Sequence, residues 1–328
     1  MKAKLLHVYE ERVPEALRDL VRSFIPAAEF EVDAMTYKTS PEDQKAKLAA
    51  ADVVLFAPGR YLPDDVLAAA QNVKLMQLWS SGFDKFNLVG CDKVGIPVAN
   101  NGGANACSVA EHAVLLMLAV YKWLPNSHRR TVEGKWTGNS HGLDMFLLNG
   151  KKLGIIGFGN IGKQVARKVS GFDMHVSYFD INRADESTEK EYGVTYAPFD
   201  EIISTSDIVT LHLHANDQTK NIIGPEELAK MKQSAVLINV SRAQLVDQGA
   251  LYIALATGKL HGAGVDVYMS EPTTGEEPLL SLPNVVATPH MAGSTYDTYA
   301  MVMERAVENF RRVMRGEQPL WIVNHPHI

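Results

Sequence analysis

Cysteine is nearly absent from this chain. Cys91 and Cys107 are the only two among 328 residues, and neither belongs to a C-x-x-C pair. A disulfide framework is thereby excluded, and both thiols read as packing residues in a reducing compartment. Long apolar runs are missing too. The most apolar stretch, residues 113–120, falls far short of the ~20 residues that span a bilayer, and the apolar run near the N-terminus is too short for a signal peptide. A cytoplasmic location and no membrane partner are the expectations. No run of five like charges interrupts the sequence, and the formal charge of −6 is spread along it. That distribution argues against nucleic acid as the main partner. The eleven histidines are scattered, none in a Cys/His cluster with zinc spacing, so no metal is expected. His212-Leu-His214 would share one face of a strand without further ligands nearby. Solenoid repeats and low-complexity segments are also lacking.

What remains is an ordinary globular composition, 46% hydrophobic and 21% charged, in a chain long enough for two domains. Its organising stretch is residues 152–180. An apolar run leads into Gly157-Phe158-Gly159-Asn160-Ile161-Gly162, a helix-like segment follows, and a second apolar run ends at Asp180. A bare G-x-G-x-x-G is weak evidence, but this strand-turn-helix context makes it a dinucleotide fingerprint. Gly157 permits the tight turn, Gly159 a close approach of backbone to a pyrophosphate, and Gly162 close packing of helix on sheet. The helix N-terminus offers free N–H groups to the phosphates. Asp180, eighteen residues beyond Gly162, stands where an acid receives the adenosine ribose hydroxyls. A carboxylate there repels a 2′-phosphate, favouring NAD over NADP, although Arg183 three residues later leaves the preference open.

Ahead of this unit, strand-like runs at 4–8, 52–57 and 74–79 alternate with helical ones at 14–24 and 63–70, which implies a parallel sheet covered on both faces. The small-residue turn Ser80-Ser81-Gly82-Phe83-Asp84 follows a strand end, where α/β sheets bind ligands, although a simple loop explains it equally well. A long helix is expected over 108–124, with Ser108 as cap and Glu111 as its N3 partner. A polar segment at 126–149 reads as a loop or an arm that packs on a second subunit. After the fingerprint, strand-like runs at 207–213, 235–240, 262–267 and 285–288 bring the second sheet to six strands. A last helix is expected over 294–315. The fold class is therefore α/β, with two doubly wound parallel-sheet domains.

Three residues fall just beyond strands of the second sheet: Arg242, Glu271 and His290. Singly, each has a dull explanation as an ion-paired, turn or structural residue. Together, at one sheet edge that holds a nicotinamide cofactor, they supply the parts for reducing an α-keto acid.

In these features the chain resembles the D-isomer-specific 2-hydroxyacid dehydrogenase family, which includes D-lactate and phosphoglycerate dehydrogenases and glyoxylate/hydroxypyruvate reductases. The resemblance rests on Gly157 through Gly162 with Asp180, Asn105 with Val109-Ala-Glu-His112, and residues 239–247, 266–272 and 288–293, in the family's order. It implies a Rossmann NAD-binding domain, 104–292, inserted in a flavodoxin-like substrate domain, 1–103 with 293–328, and a homodimer formed through the cofactor domain. It further implies that Arg242 clamps the substrate carboxylate in two hydrogen bonds. His290 would protonate the carbonyl oxygen, and an imidazole titrates near neutral pH. Glu271 would bond the other imidazole nitrogen, fixing its orientation and favouring its charged form. Gln replaces this Glu in related formate dehydrogenases. Asn160 and Ile161 would touch the pyrophosphate, Val240 and Asp266 would lie near the nicotinamide, and Leu213, His214, Thr219, Ser241 and Gly293 would complete the cofactor contacts. Ser81 and Gly82 match the turn whose amides bind the substrate carboxylate. Two departures are Ala243 in place of a Gly and His214 in place of a Pro.

The sequence-level conclusion is an oxidoreductase that moves a hydride between NAD(H) and a small 2-keto or 2-hydroxy acid. The alternative is a non-enzymatic NAD-binding regulator of the corepressor type, which keeps the same Arg, Glu and His. A methyltransferase built on the same glycine loop would leave those three residues without a role.

Overall fold

Residues 4–8 show no polar alternation, as expected of a strand covered on both faces. In the computed structural model, which describes residues 2–136 and 138–325, they form the centre of β1 (Ala3–Tyr9). With β2 (Phe30–Thr36), β3 (Val53–Ala57), β4 (Leu75–Leu78) and β5 (Val98–Ala99) it makes a parallel sheet in the order β2-β1-β3-β4-β5. This is the flavodoxin-like order. Every residue of β3 and β4 is buried, which accounts for the continuous apolar sequence of β3, while the one polar residue of β4, Gln77, is hydrogen-bonded inside. The edge strand β2 is a strand the sequence reading did not anticipate. Glu31 and Asp33 interrupt its apolar positions because one side of an edge strand meets solvent. The terminal helix Tyr296–Met314 returns to this unit. There the buried Asn309 donates through Nδ2 to Gln77 Oε1 at 2.9 Å and to the Leu320 carbonyl at 3.0 Å.

The chain divides into two compact units, 1–105 with 294–328 and 106–293. The second contains β6 (Lys152–Ile156), β7 (His175–Phe179), β8 (Thr195–Tyr196), β9 (Ile208–Leu211), β10 (Val236–Asn239), β11 (Gly262–Val265) and β12 (Val285–Ala287). The order is β12-β11-β10-β9-β6-β7-β8, seven strands where the sequence implied six. The addition is the two-residue β8, too short to show a period. Strand order reverses between β6 and β9, and the carboxyl ends of those strands form the crevice where such sheets bind ligands.

The helix Ala106–Tyr121 lies flat on this sheet because the strand beneath it lacks side chains at two points. A Cβ on Gly264 would stand 2.9 Å from Leu116, and one on Gly262 would stand 2.7 Å from Val120. The expected Ser108 cap does not form. Ser108 lies inside the helix and donates to the Ala292 carbonyl at 2.7 Å, while Glu111 pairs with Lys168 at 2.8 Å. The helix ends before 124, where Trp123 takes φ +51, and a separate helix, Leu124–Val132, follows. No single helix among the described residues is long and apolar enough to cross a membrane.

Candidate active site

The glycine loop is dictated by space. Gly157 leaves β6 at φ +96, and a Cβ there would come within 2.6 Å of the His212 carbonyl oxygen. A Cβ on Gly162 would stand 2.2 Å from the Gly157 carbonyl. A Cβ on Gly159, by contrast, would meet no atom within 4 Å. That opening lies at the N-terminus of the helix Asn160–Val169, whose first-turn amides, including those of Asn160 and Ile161, have no acceptor within the helix. Asp180, past the end of β7, accepts from Phe158 N at 2.7 Å through Oδ2 and from Asn182 N at 3.0 Å through Oδ1. Open space, unspent amides and an acid anchored to the loop are the features a dinucleotide requires.

Beyond β9 the two histidines do not share a strand face, because the strand stops at Leu211. His212 pairs through Nε2 with Thr210 Oγ1 at 3.0 Å, and burial pushes its imidazole down to about 3, which keeps it neutral. His214 is exposed. Its carbonyl accepts from Thr219 Oγ1 at 2.7 Å, so Thr219 stabilises this loop through its side chain.

The turn after β10 is held by its own polar side chains. Ser241 Oγ donates to the Leu211 carbonyl at 2.7 Å, joining the ends of β9 and β10 beside the buried Val240. Asn239 accepts from Ser241 N at 3.1 Å and donates to the Arg242 carbonyl at 2.8 Å. Arg242 therefore projects from a braced, extended residue, with Nη1 donating to the Ser241 carbonyl at 2.8 Å. Ala243 starts a 3-10 turn at negative φ, so the absent glycine is not needed there.

Asp266, just past β11, is fully buried. It accepts from Thr288 Oγ1 at 2.6 Å, Met291 N at 3.0 Å and Ala292 N at 2.9 Å. His112 Nε2 lies 2.9 Å from the same Thr288 hydroxyl and 3.6 Å from Asp266. This cluster clamps the segment on either side of His290 and ends next to Gly293. His290 itself takes φ +51, a conformation uncommon for a side-chain-bearing residue and found preferentially at functional sites. Its Nδ1 lies 2.9 Å from Glu271 Oε1. A carboxylate only accepts, so Nδ1 carries the hydrogen and Nε2 is left for another partner. The Glu271 side chain is 12% exposed and that of His290 44%, so the acid supports the imidazole from beneath.

Tyr268, which sequence reasoning missed, completes this support. Its amide donates to Glu271 Oε1 at 3.2 Å and its hydroxyl to the Thr288 carbonyl at 2.9 Å. Burial pushes the phenol up to about 12, so it remains a donor. The structural roles of His112 and Thr288 were equally hidden, because their partners lie far away in sequence.

Glu271 and His290 are thus in direct contact. Arg242 stands at the same carboxyl edge, since β10, β11 and β12 are successive parallel strands. Ser81 and Gly82 follow β4 in the first unit. Ser81 Oγ lies 2.6 Å from Asn101 Oδ1 and Asn105 Oδ1, and Ser80 Oγ donates to the Gly82 carbonyl at 2.7 Å.

Residues 114–292 match the model of the D-isomer specific 2-hydroxyacid dehydrogenase NAD binding domain. A glyoxylate reductase from Korarchaeum cryptofilum is 38% identical over 262 residues, 79% of each chain. A hydroxypyruvate reductase from Thermotoga maritima is 36% identical over 259 residues, 78% of this chain and 83% of the relative. Among solved structures, the NAD-complexed D-isomer specific 2-hydroxyacid dehydrogenase from Lactobacillus delbrueckii ssp. bulgaricus superposes with a TM-score of 0.81 at 25% identity, covering 98% of this chain and all of that one. Sequence and fold lead to one conclusion: the chain belongs to the D-isomer specific 2-hydroxyacid dehydrogenase family and is an NAD-dependent oxidoreductase.

Proposed function

We propose that the enzyme reduces a small 2-keto acid, of the glyoxylate, hydroxypyruvate or pyruvate class, to the corresponding 2-hydroxy acid, of D configuration where the product is chiral. The observation that carries this reading is the His290 imidazole, anchored through Nδ1 on Glu271 at the sheet edge that also bears Arg242. Gly157, Gly159, Asn160, Ile161, Gly162 and Asp180 hold the dinucleotide, and the nicotinamide supplies the hydride. Arg242 grips the substrate carboxylate through its planar fork and draws electron density from the adjacent carbonyl. His290 delivers a proton from Nε2 to the carbonyl oxygen and takes it back in the oxidative direction. Glu271 maintains the ring's orientation throughout. A carboxylate at 271 also supports a keto acid over formate as substrate.

Leu115, Leu124, Val132, Trp136, Leu143 and Leu147 are exposed apolar side chains within one continuous stretch. Their density supports a homodimer formed through this arm. Trp136→Glu combined with Leu143→Glu should lower the mass measured by light scattering to that of one chain; a parent protein that is already monomeric refutes the dimer.

The activity is tested by following NADH absorbance with glyoxylate, hydroxypyruvate and pyruvate. Turnover of at least one is expected. Tight NADH binding without turnover across keto acids of graded size and charge would sink the reductase reading and support a regulator.

A further inference from the structure

The turn after Asp180 carries a cation that the cofactor reading leaves without a role. Residues 180–185 read Asp-Ile-Asn-Arg-Ala-Asp, so within this turn Arg183 is the one positive side chain. Because Asp180 Oδ1 accepts from Asn182 N at 3.0 Å, the turn wraps around that carboxylate. An arginine in such a place ordinarily receives a 2′-phosphate.

Here its guanidinium is engaged elsewhere. Arg183 Nε donates to Glu189 Oε1 at 2.9 Å and Nη2 donates to Glu189 Oε2 at 3.1 Å, a two-pronged contact. Three sides hold this pair in place. Glu189 belongs to the helix Glu186–Tyr192, whose cap Asp185 accepts from Thr188 N at 2.7 Å. Tyr178, buried in β7, donates to Glu189 Oε1 at 2.8 Å and accepts from Ala184 N at 2.9 Å. The guanidinium carbon stands 5.3 Å from the Tyr196 ring centroid in β8. The Tyr178 ring stacks at 4.1 Å on Phe158, whose amide binds Asp180, so the lock and the ribose acid share one frame. The Arg183 guanidinium, and after it the Tyr178 hydroxyl, hold the Glu189 carboxyl below the usual range.

We propose that Glu189 is a cofactor-specificity residue: by engaging the Nε and Nη2 edge of Arg183 it neutralises and fixes in place the one cation of this turn, which a 2′-phosphate would otherwise recruit. Preference for NAD then has two components, repulsion by Asp180 and confinement of Arg183. The inference rests on the reading of Asp180 as the adenosine-ribose ligand.

The test compares Glu189→Ala, Glu189→Gln and Arg183→Ala/Glu189→Ala with the parent. Calorimetric affinity for adenosine 2′,5′-bisphosphate against 5′-AMP is one readout, and the NADPH-to-NADH ratio of kcat/KM is the other. Glu189→Ala should raise both ratios by about tenfold, the scale of one charge-assisted contact, with NADH constants within about twofold of the parent. The double variant should return to the parent ratios. Glu189→Gln keeps an acceptor for Tyr178 and guards against misfolding, and it should move in the same direction by less. Unchanged ratios in both single variants, or a gain that survives loss of Arg183, would overturn the proposal. Asp180→Ala separates the two layers: unaltered affinity for 5′-AMP and unaltered discrimination would remove the ribose assignment and this inference with it.

Discussion

Thr288→Val removes one oxygen and almost no volume, yet that oxygen joins two buried groups. Thr288 Oγ1 donates to Asp266 Oδ1 at 2.6 Å and lies 2.9 Å from His112 Nε2. Asp266 is fully buried and His112 nearly so, and water does not readily replace the missing partner for either. A hydrogen bond to a charged group contributes about 1.5–3 kcal/mol and a neutral one about 1 kcal/mol. Loss of both should destabilise the second unit by about 2–4 kcal/mol. Urea unfolding at neutral pH measures this as a lower midpoint at unchanged slope. His112→Ala should cost less in the Thr288→Val background than in the parent, because the two changes break a shared contact. A functional effect follows from position: His290 is two residues on, and its amide bonds to the Thr288 carbonyl at 3.1 Å. Reductive kcat should fall several-fold with KM for NADH little changed. If the midpoint matches the parent and the double-mutant costs simply add, the Asp266 cluster is not what holds the His290 segment.

Arg242→Lys should raise the keto-acid KM and lower kcat, with kcat/KM down by about 10–100-fold, because a point charge cannot make the two-pronged contact; parent kinetics would take Arg242 out of the site. Glu271→Gln keeps a hydrogen-bonding amide beside His290 but removes the charge, and reductive kcat should fall by about tenfold at near-constant substrate KM; an unchanged kcat would contradict the pairing. His7 gives a pH prediction. It is fully buried in β1, and burial, assisted by Arg22 and Arg18, pushes its imidazole from 6.5 down to about 4. Between those values the unfolded chain binds a proton that the folded one refuses, so stability drops as pH falls from 6.5 towards 4. The loss from this residue approaches about 3 kcal/mol. His7→Met should flatten the pH dependence of urea unfolding over that window, and parallel curves for variant and parent would show that His7 does not titrate this way.

The sequence alone determined the elements whose cause is local. Gly157, Gly159 and Gly162 were legible because a tight turn, an open approach and close helix packing each exclude a side chain, and strands such as β3 read as buried because every position is apolar. Arg242, Glu271 and His290 were legible as strand-end residues for the same reason: strand boundaries show in the chain. The short β8, the edge strand β2 and the true start of the helix at Ala106 were not, since two residues show no period, an edge strand mixes polar with apolar, and Ser108 finds its acceptor at Ala292. Only the tertiary structure decided which polar atoms meet. The side chains of Asp266, Thr288 and His112 are brought together by sheet register and by the helix laid across it, and no local pattern encodes a contact between residues that only packing makes neighbours; Arg183 and Glu189, six residues apart, meet where the turn after β7 leads into its short helix beside Tyr178.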